Sequence, residues 1–441
     1  MASTRIFRTA GTPTNDKIWT ISGWFKFHSN VGHVIFASDG NNNTSWTQSR
    51  WSSGRLELGS YSTLWLRTNR VFRDYNAWYH IMYVADSTQA TASDRLKIYV
   101  NGVEETSFET DNRSSTTQNQ SWGWNKNGAV NNIGGENASG YGNFTCSHFH
   151  NIDGTALTPS TFGEYDANGV WTINTSPTIS SYGNNGFFWL KDTIATTDHS
   201  PNSNTFTIGG TLTNTEDCPD NVFATMNPLD GHISHMVFSH GNNTVDNGST
   251  ASLNSYATST IGMSSGKFYF EAKNVTNANW QSMGISDRPS PDNTNSLGTN
   301  AYDYGYQNGD GAKLNNSSQT SYGNSYTTND IIGCAVDLDN LKIYFSKNGV
   351  WQNSGDPESG ATGTGAAFTI TAPSLTSTGF YFFAVGDNTA ANSSKWSANF
   401  GNGYFGTTAV ASAGTNASGI GIFEYDVPNG YTALSTKGLN L

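Results

Sequence analysis

Cys146, His148 and His150 are the residues whose types and spacing most resemble metal-binding chemistry. Alternation along a strand would set the three side chains on one face, and a thiolate with two imidazoles is part of a zinc ligand set. A closed site needs a fourth group, and no second Cys/His pair stands at finger spacing, so ordinary strand residues are the preferred reading. His232, His235 and His240 form a looser group in a Gly/Asn-rich segment, with no better claim to a metal. Asp39, in Ser38-Asp39-Gly40-Asn41, is the one candidate ligand for Ca2+. That ion wants six or more oxygens, and a single Asp in a polar loop reads first as turn chemistry. No cofactor is expected.

Paired carboxylates would signal glycoside hydrolysis, in which two acids flank the scissile bond. Glu104 and Glu105 are adjacent and would face opposite sides of a strand, whereas Glu424 and Asp426 share a face in a stretch that reads as structural. Neither a Gly-x-Ser-x-Gly elbow nor a phosphate loop occurs. The expected chemistry is therefore binding without catalysis. Aromatic rings stack on the C–H faces of sugars, and Asn, Asp and Gln pair with hydroxyls. Tyr302, Tyr304, Tyr306 and Asn308 supply that mixture, as do Trp280 with Asp287 and Arg288. Alternating tyrosines are also what a strand with one core face looks like, and that reading is preferred for them. Trp46 and Trp51 are the corresponding candidates near the N-terminus.

The elements that must position these groups are strands. Trp19 to Phe27, Ala77 to Val84 and Arg95 to Val100 carry strand patterns, the first with alternation over much of its length. Asn101-Gly102 then predicts a tight hairpin, because both turn positions need positive φ. Leu341 to Ser346, a turn containing Asn348-Gly349, and Val350-Trp351 repeat the device. Lys267 to Ala272, Asp330 to Asp337 and Gly379 to Val385 continue the pattern. Between the two strand-rich regions the chain turns to Thr, Asn, Ser, Gly and Pro. Its aromatics Phe162, Tyr165, Trp171 and Trp189 predict an ordered connector packed on the domains.

Composition agrees. Charged residues are only 13%, but aromatics also reach 13%, enough to fill sandwich cores. With 22 basic against 34 acidic residues the net charge is −12, and the sparse cations form no stripe. Nucleic acid and anionic membrane surfaces are disfavoured partners. No stretch approaches the roughly 18 apolar residues of a membrane span. Cys146, Cys218 and Cys334 lie too far apart for a disulfide framework. The first residues lack the apolar core of a secretory signal, so synthesis in a cytoplasm is expected.

The first half, on Trp19 to Phe27, Ala77 to His80 and Leu96 to Gly102, resembles laminin-G-like, concanavalin-type jelly rolls. The second half resembles a SPRY domain, on Ser265 to Glu271, Met283-Gly284-Ile285, Asp330 to Asp337 and the hairpin Lys342 to Trp351. A match over almost the whole chain rests on Val71 to Asp74, Asp86 to Arg95, Ile152 to Ser160, Phe162-Gly163-Glu164, Tyr182 to Phe187 and the tail from Ala398. On these segments the chain is similar to structural proteins of marine phages, which join the two domains in this order. The Glu-x-Asp-x-x-Glu triplet of concanavalin-like hydrolases is missing. The resemblance implies a virion surface protein. Because the first domain begins almost at once, a short spike, a fibre tip or a capsid fibre or knob is expected rather than a complete tail fibre.

The expected fold is all-β: two antiparallel β-sandwich (jelly-roll) domains with an irregular connector. Residues 1–158 are the laminin-G-like domain, 159–227 the connector, and 228–441 the SPRY-like domain with a C-terminal extension. The expected function is adhesion to host-surface glycans through sandwich loops. The alternatives are a purely structural capsid decoration or head-fibre protein, and a glycan-degrading enzyme. The expected partners are other virion proteins and host cell-surface polysaccharide. A homo-oligomer is expected too, a trimer by analogy with phage spikes. Segments such as Gly401 to Gly421, short of apolar anchors, would order more easily against a neighbour.

Overall fold

The computed structural model describes all residues except 1–3, 29–31, 40–45, 76, 137–138, 192–196, 230–235, 248–253, 278–279, 292–294 and 388–393. The chain divides into two compact units, Met1–Asn214 and Thr215–Leu441. Both are built of antiparallel sheets, and the described helices are all short 3₁₀ turns. The all-β sandwich expectation holds.

In the first unit an eight-stranded sheet faces a six-stranded one. The larger sheet runs Phe108–Asp111, Leu64–Thr68, Arg55–Gly59, Thr47–Ser52, His33–Asp39, Val130–Ile133, Arg5–Thr9 and Thr207–Gly209. The smaller runs Phe187–Trp189, Phe144–Asp153, Ile18–Phe27, Trp78–Asp86, Leu96–Val100 and Val103–Glu104. Trp19, Ile21, Phe25 and Phe27 alternate into the core, where they meet Phe36, Trp51, Tyr83 and Trp124.

The other face of Ile18–Phe27 is buried as well. The segment expected as an irregular connector packed on the domains folds back onto it. Phe162, Tyr182 and Phe188 pack with Met82, Val84 and Ile152 in a second small core. Polar groups under this cover find partners: Thr20 Oγ1 donates to the Thr155 carbonyl at 2.8 Å and accepts from the Leu157 N–H at 3.0 Å. Buried asparagines tie the Tyr182 to Phe187 stretch in place. Asn151 Nδ2 donates to the Asn185 carbonyl at 3.0 Å, and the Gly11 N–H donates to Asn185 Oδ1 at 2.8 Å. Residues 159–214 thus belong to the first unit. From Thr215 the chain belongs to the second, where Phe223 bridges to Ser435 and Met226 to Ser259.

In the second unit the larger sheet has Lys267–Thr276 at its centre, between Lys395–Asn399 and Ile331–Asp337. The facing sheet runs Ser255–Thr258, Phe382–Asp387, Ser282–Ser286, Tyr304–Gln307, Ala312–Asn315 and Ser318–Ser321. Phe270 stacks on Phe383 and on Phe400, each at 4.7 Å between centroids. The chain's last part covers the outer face of the larger sheet, where Phe423, Val427 and Tyr431 pack on Tyr269 and Tyr344. Fully buried Glu271 holds this cover down, accepting from the backbone N–H groups of Glu424 and Tyr425 at 2.9 Å each. The stretch Gly401 to Gly421 is likewise tied within its own unit. Asn399 Oδ1 accepts from Gly401 and Gly403, and the Gly414 N–H donates to the Phe423 carbonyl.

Candidate functional site

At one end of the second sandwich the register between Lys267–Thr276 and Lys395–Asn399 shifts between Asn274 and Thr276. Such a bulge bends the strand and re-aims the residues beyond it. Trp280 lies just past this bend, with φ 64°, a left-handed conformation that costs a bulky residue energy and is kept where surroundings enforce it. Its ring lies against Gly309, where an added Cβ would come within 3.0 Å of it. The side chain remains 39% exposed.

Amides bond one another in the chain on either side of it. Asn274 Nδ2 and Asn308 Nδ2 both donate to Asn277 Oδ1, at 2.9 and 2.8 Å. Gln281 Nε2 donates to the Thr276 carbonyl at 2.6 Å, and the Asn308 N–H to the Gln281 carbonyl at 3.0 Å. The buried Asn274 Oδ1 and Gln281 Oε1 accept no hydrogen bond among the described residues.

The other candidates of this domain sit differently. Tyr304 and Tyr306 point into the core. Tyr304 meets Thr371 Oγ1 at 3.2 Å, and the Tyr306 hydroxyl donates to the Asn324 carbonyl. They are packing residues and are corrected as such, since the inward positions of that strand are the ones they occupy. Tyr302 packs, partly buried, against the same core. Asp287 is fully buried, and both the N–H and the hydroxyl of Ser377 donate to it, the N–H at 2.9 Å. It pins the loop around residues 376–380 rather than facing a ligand. Arg288, with a side chain 40% exposed, keeps Nε 3.2 Å from Asp287 Oδ1. Nearby, burial pushes the Asp303 carboxyl above its ordinary range, against the pull of its hydrogen bonds from Ser286 and Asn300.

In the first unit Trp51 is also a core residue, stacked on Phe27 at 3.7 Å, because its strand turns odd-numbered positions inward. Trp46 is partly exposed and meets Tyr61 edge-on at 5.5 Å. Nothing in the sequence singles out Tyr61: it is an isolated tyrosine between serines, and only the strand register brings it to Trp46.

The metal readings find little support in the geometry. The register shifts between Ser147 and His150, so Cys146 and His150 face opposite sides of their sheet. Cys146 packs against the sandwich core, and His150 lies under the cover, 3.0 Å from the Tyr182 hydroxyl. His148, in the bulge, has φ 50° and bonds Ser147 Oγ at 2.8 Å. Asp39 Oδ2 is 3.7 Å from the Arg5 guanidinium, a poor neighbour for a divalent cation. His232 and His235 lie outside the described residues; His240 bonds Thr244 Oγ1 at 3.0 Å. Among the described residues no three His, Cys, Asp or Glu side chains gather as a metal site. Glu104 pairs with Lys97 at 3.3 Å and Glu105 with Arg70 at 2.9 Å. Glu424 and Asp426 accept from the Ala411 and Thr415 N–H groups and hold the tail.

The fold defines an all-β protein of paired antiparallel sheets, and comparison with known proteins makes one half specific. The SPRY domain family matches residues 267–372, so the second unit carries a SPRY domain. The Xenopus laevis ATP-dependent RNA helicase DDX1 is 34% identical over 95 residues, 21% of this chain and 12% of that protein. Human Ran-binding protein 9 is 38% identical over 95 residues, 21% of this chain and 13% of that protein. The chain therefore spans only a small part of the length of these relatives. Among solved structures, the SPRY domain of human HERC1 is 20% identical with a TM-score of 0.31, over 39% of this chain and 96% of that one.

Proposed function

We propose that this is a non-catalytic phage virion surface protein that adheres to host-surface glycans, with Trp280 as the principal contact of its SPRY domain. The observation that carries the adhesive part is the exposed indole held against Gly309, with the exposed Asn277 three positions before it in the chain. A rigid exposed ring suits a pyranose, whose C–H face stacks on it, and the exposed Asn277 is the nearby amide that could meet a hydroxyl. The virion placement, and the laminin-G-like reading of the first unit, rest on the sequence segments that resemble marine-phage structural proteins. Single sites of this kind are weak. A symmetric oligomer, a trimer in the simplest case, would multiply them into useful avidity.

A second reading, a decoration protein that contacts other virion proteins, is favoured by the loop that Asp287 pins. It presents Leu375 at 69% and Phe380 at 43% exposure. A glycan array probed with the purified protein and with Trp280→Ala separates the two. Binding that weakens in the variant supports adhesion through Trp280, and no binding by either protein supports the structural role.

A further inference from the structure

The first unit carries a cleft of its own on the solvent face of its eight-stranded sheet. Gln48 and Gly59 are cross-strand neighbours, as are Arg50 and Glu57 on the same two strands. The alternate positions Ser49, Trp51, Leu56 and Leu58 point into the core, so these four face outward. Gly59 leaves bare backbone opposite Gln48. A side chain there would strike the Thr63 carbonyl at 2.6 Å, because the turn Ser60 to Thr63 folds back over it. The result is a cleft of about 220 Å³ lined by Gln48, Arg50, Glu57, Tyr61 and Thr63. Tyr61 stands at its lip, 69% exposed, with its ring braced edge-on by Trp46. The Trp46 indole N–H is itself buried and donates to nothing among the described residues.

We propose that this cleft is a second carbohydrate site, distinct from that at Trp280, and that it takes a neutral pyranose. The charges around it cancel. Arg50 pairs with Glu136 at 2.6 Å, and Glu57 with Arg67 at 3.3 Å. An anionic sugar would meet Glu57, and a cationic one Arg50, each already committed to an opposite charge. A neutral sugar meets neither penalty. Tyr61 offers a ring for its C–H face, while Arg50 and Glu57 offer a donor and an acceptor for vicinal hydroxyls. Gln48 Oε1 accepts from Arg50 Nε at 3.1 Å, and its Nε2 has no acceptor among the described residues. The inference extends the adhesive reading to a second surface of the same chain, and its test is arranged so that either site can fail alone.

The probes are glucose, galactose, mannose and N-acetylglucosamine, titrated into full-length protein bearing Trp280→Ala and labelled at its indole nitrogens. The Trp46 signal is assigned by its loss in Trp46→Phe. At least one sugar should move the Trp46 signal. Tyr61→Ala should weaken that response roughly tenfold, the scale of a lost stacking contact. Tyr61→Phe, which keeps the ring, should preserve it. Tyr61 is exposed, so folding should survive its replacement, as a melting curve can verify. A Trp46 signal that none of the four sugars moves, or a response unchanged by Tyr61→Ala, overturns the second site. The part of the sugar binding that Trp280→Ala removes from an otherwise unmodified chain is the separate readout of the first.

Discussion

His150 stacks on Phe188 at 3.9 Å between ring centroids, sealed between the smaller sheet of the first unit and the chain segment that covers it. His80 lies under the same cover, with Nε2 2.8 Å from Ser22 Oγ and its ring stacked on Trp171 at 5.7 Å. Burial holds both imidazoles neutral, His80 at a pKa of about 3 and His150 well below its ordinary value. In the unfolded chain both take up protons near pH 6.5. The unfolded state therefore binds more protons below that pH, and the first unit loses stability on acidification. Each histidine contributes a slope of about 1.4 kcal/mol per pH unit between its two pKa values. Burial raises the Asp153 carboxyl and works in the opposite sense, one group against three, since burial also lowers His28 of the same unit to about 3. Urea melts of the first unit's transition from pH 7.5 to 4.5 should show a falling midpoint. A flat profile would mean the histidines are not sealed.

The second unit should respond the other way through Glu271. Burial raises this carboxyl to about 7, despite hydrogen bonds from Glu424, Tyr425, Tyr269 and Asn399. A folded-state value above the unfolded one means that the folded state holds the extra proton. Stability is then full below about pH 4.5 and is lost as pH rises through 7, by something on the order of 3 kcal/mol. The same melts should show the second transition moving to higher urea on mild acidification. Glu271→Ala should flatten that dependence and expose residues 411–427 to protease, since two backbone donors lose their acceptor.

Asp287→Ala should free the loop it pins. The Ser377 N–H and hydroxyl lose their buried acceptor, at a cost of about 1–3 kcal/mol. Hydrogen exchange should rise over residues 376–380 while the Lys267–Thr276 strand stays protected. Unchanged exchange in the loop would assign its order to other contacts.

How much of the fold and site is legible in the sequence depends on how local each signal is. The hairpins at Asn101-Gly102 and Asn348-Gly349 are read correctly, because positive φ at both turn positions is a demand on two adjacent residues. The angles are 49° and 81° in the first, 48° and 79° in the second. Which face of a strand is the core is a tertiary property, so Trp51, Tyr304 and Tyr306 are credible ligand groups until the packing is known. The bulge after Ser147 has no compositional signature, yet it reverses the side on which His150 lies relative to Cys146. Outward-facing positions of Ile18–Phe27 give a blurred alternation because the connector buries that face while the sandwich core buries the other. Tyr61 and Trp46, 15 positions apart in sequence, become partners only through the sheet register.

Gly309→Val should disable the Trp280 platform without unfolding the domain. The added side chain would enter space within 3.0 Å of the indole and displace it, while Gly309 itself is exposed at a turn. Glycan binding at this end should fall, with a melting temperature close to that of the unmodified protein. A large fall in melting temperature would show that the ring is structural.

The central claim is that Trp280 contacts glycan, and equilibrium binding to a surface polysaccharide purified from a marine bacterial host measures it most directly. Unmodified protein, Trp280→Ala and Trp280→Tyr are compared at matched oligomeric state. The account predicts binding by the unmodified protein, a reduction of roughly tenfold or more in Trp280→Ala, and partial retention in Trp280→Tyr, which keeps a ring. Equal binding by all three proteins would contradict it.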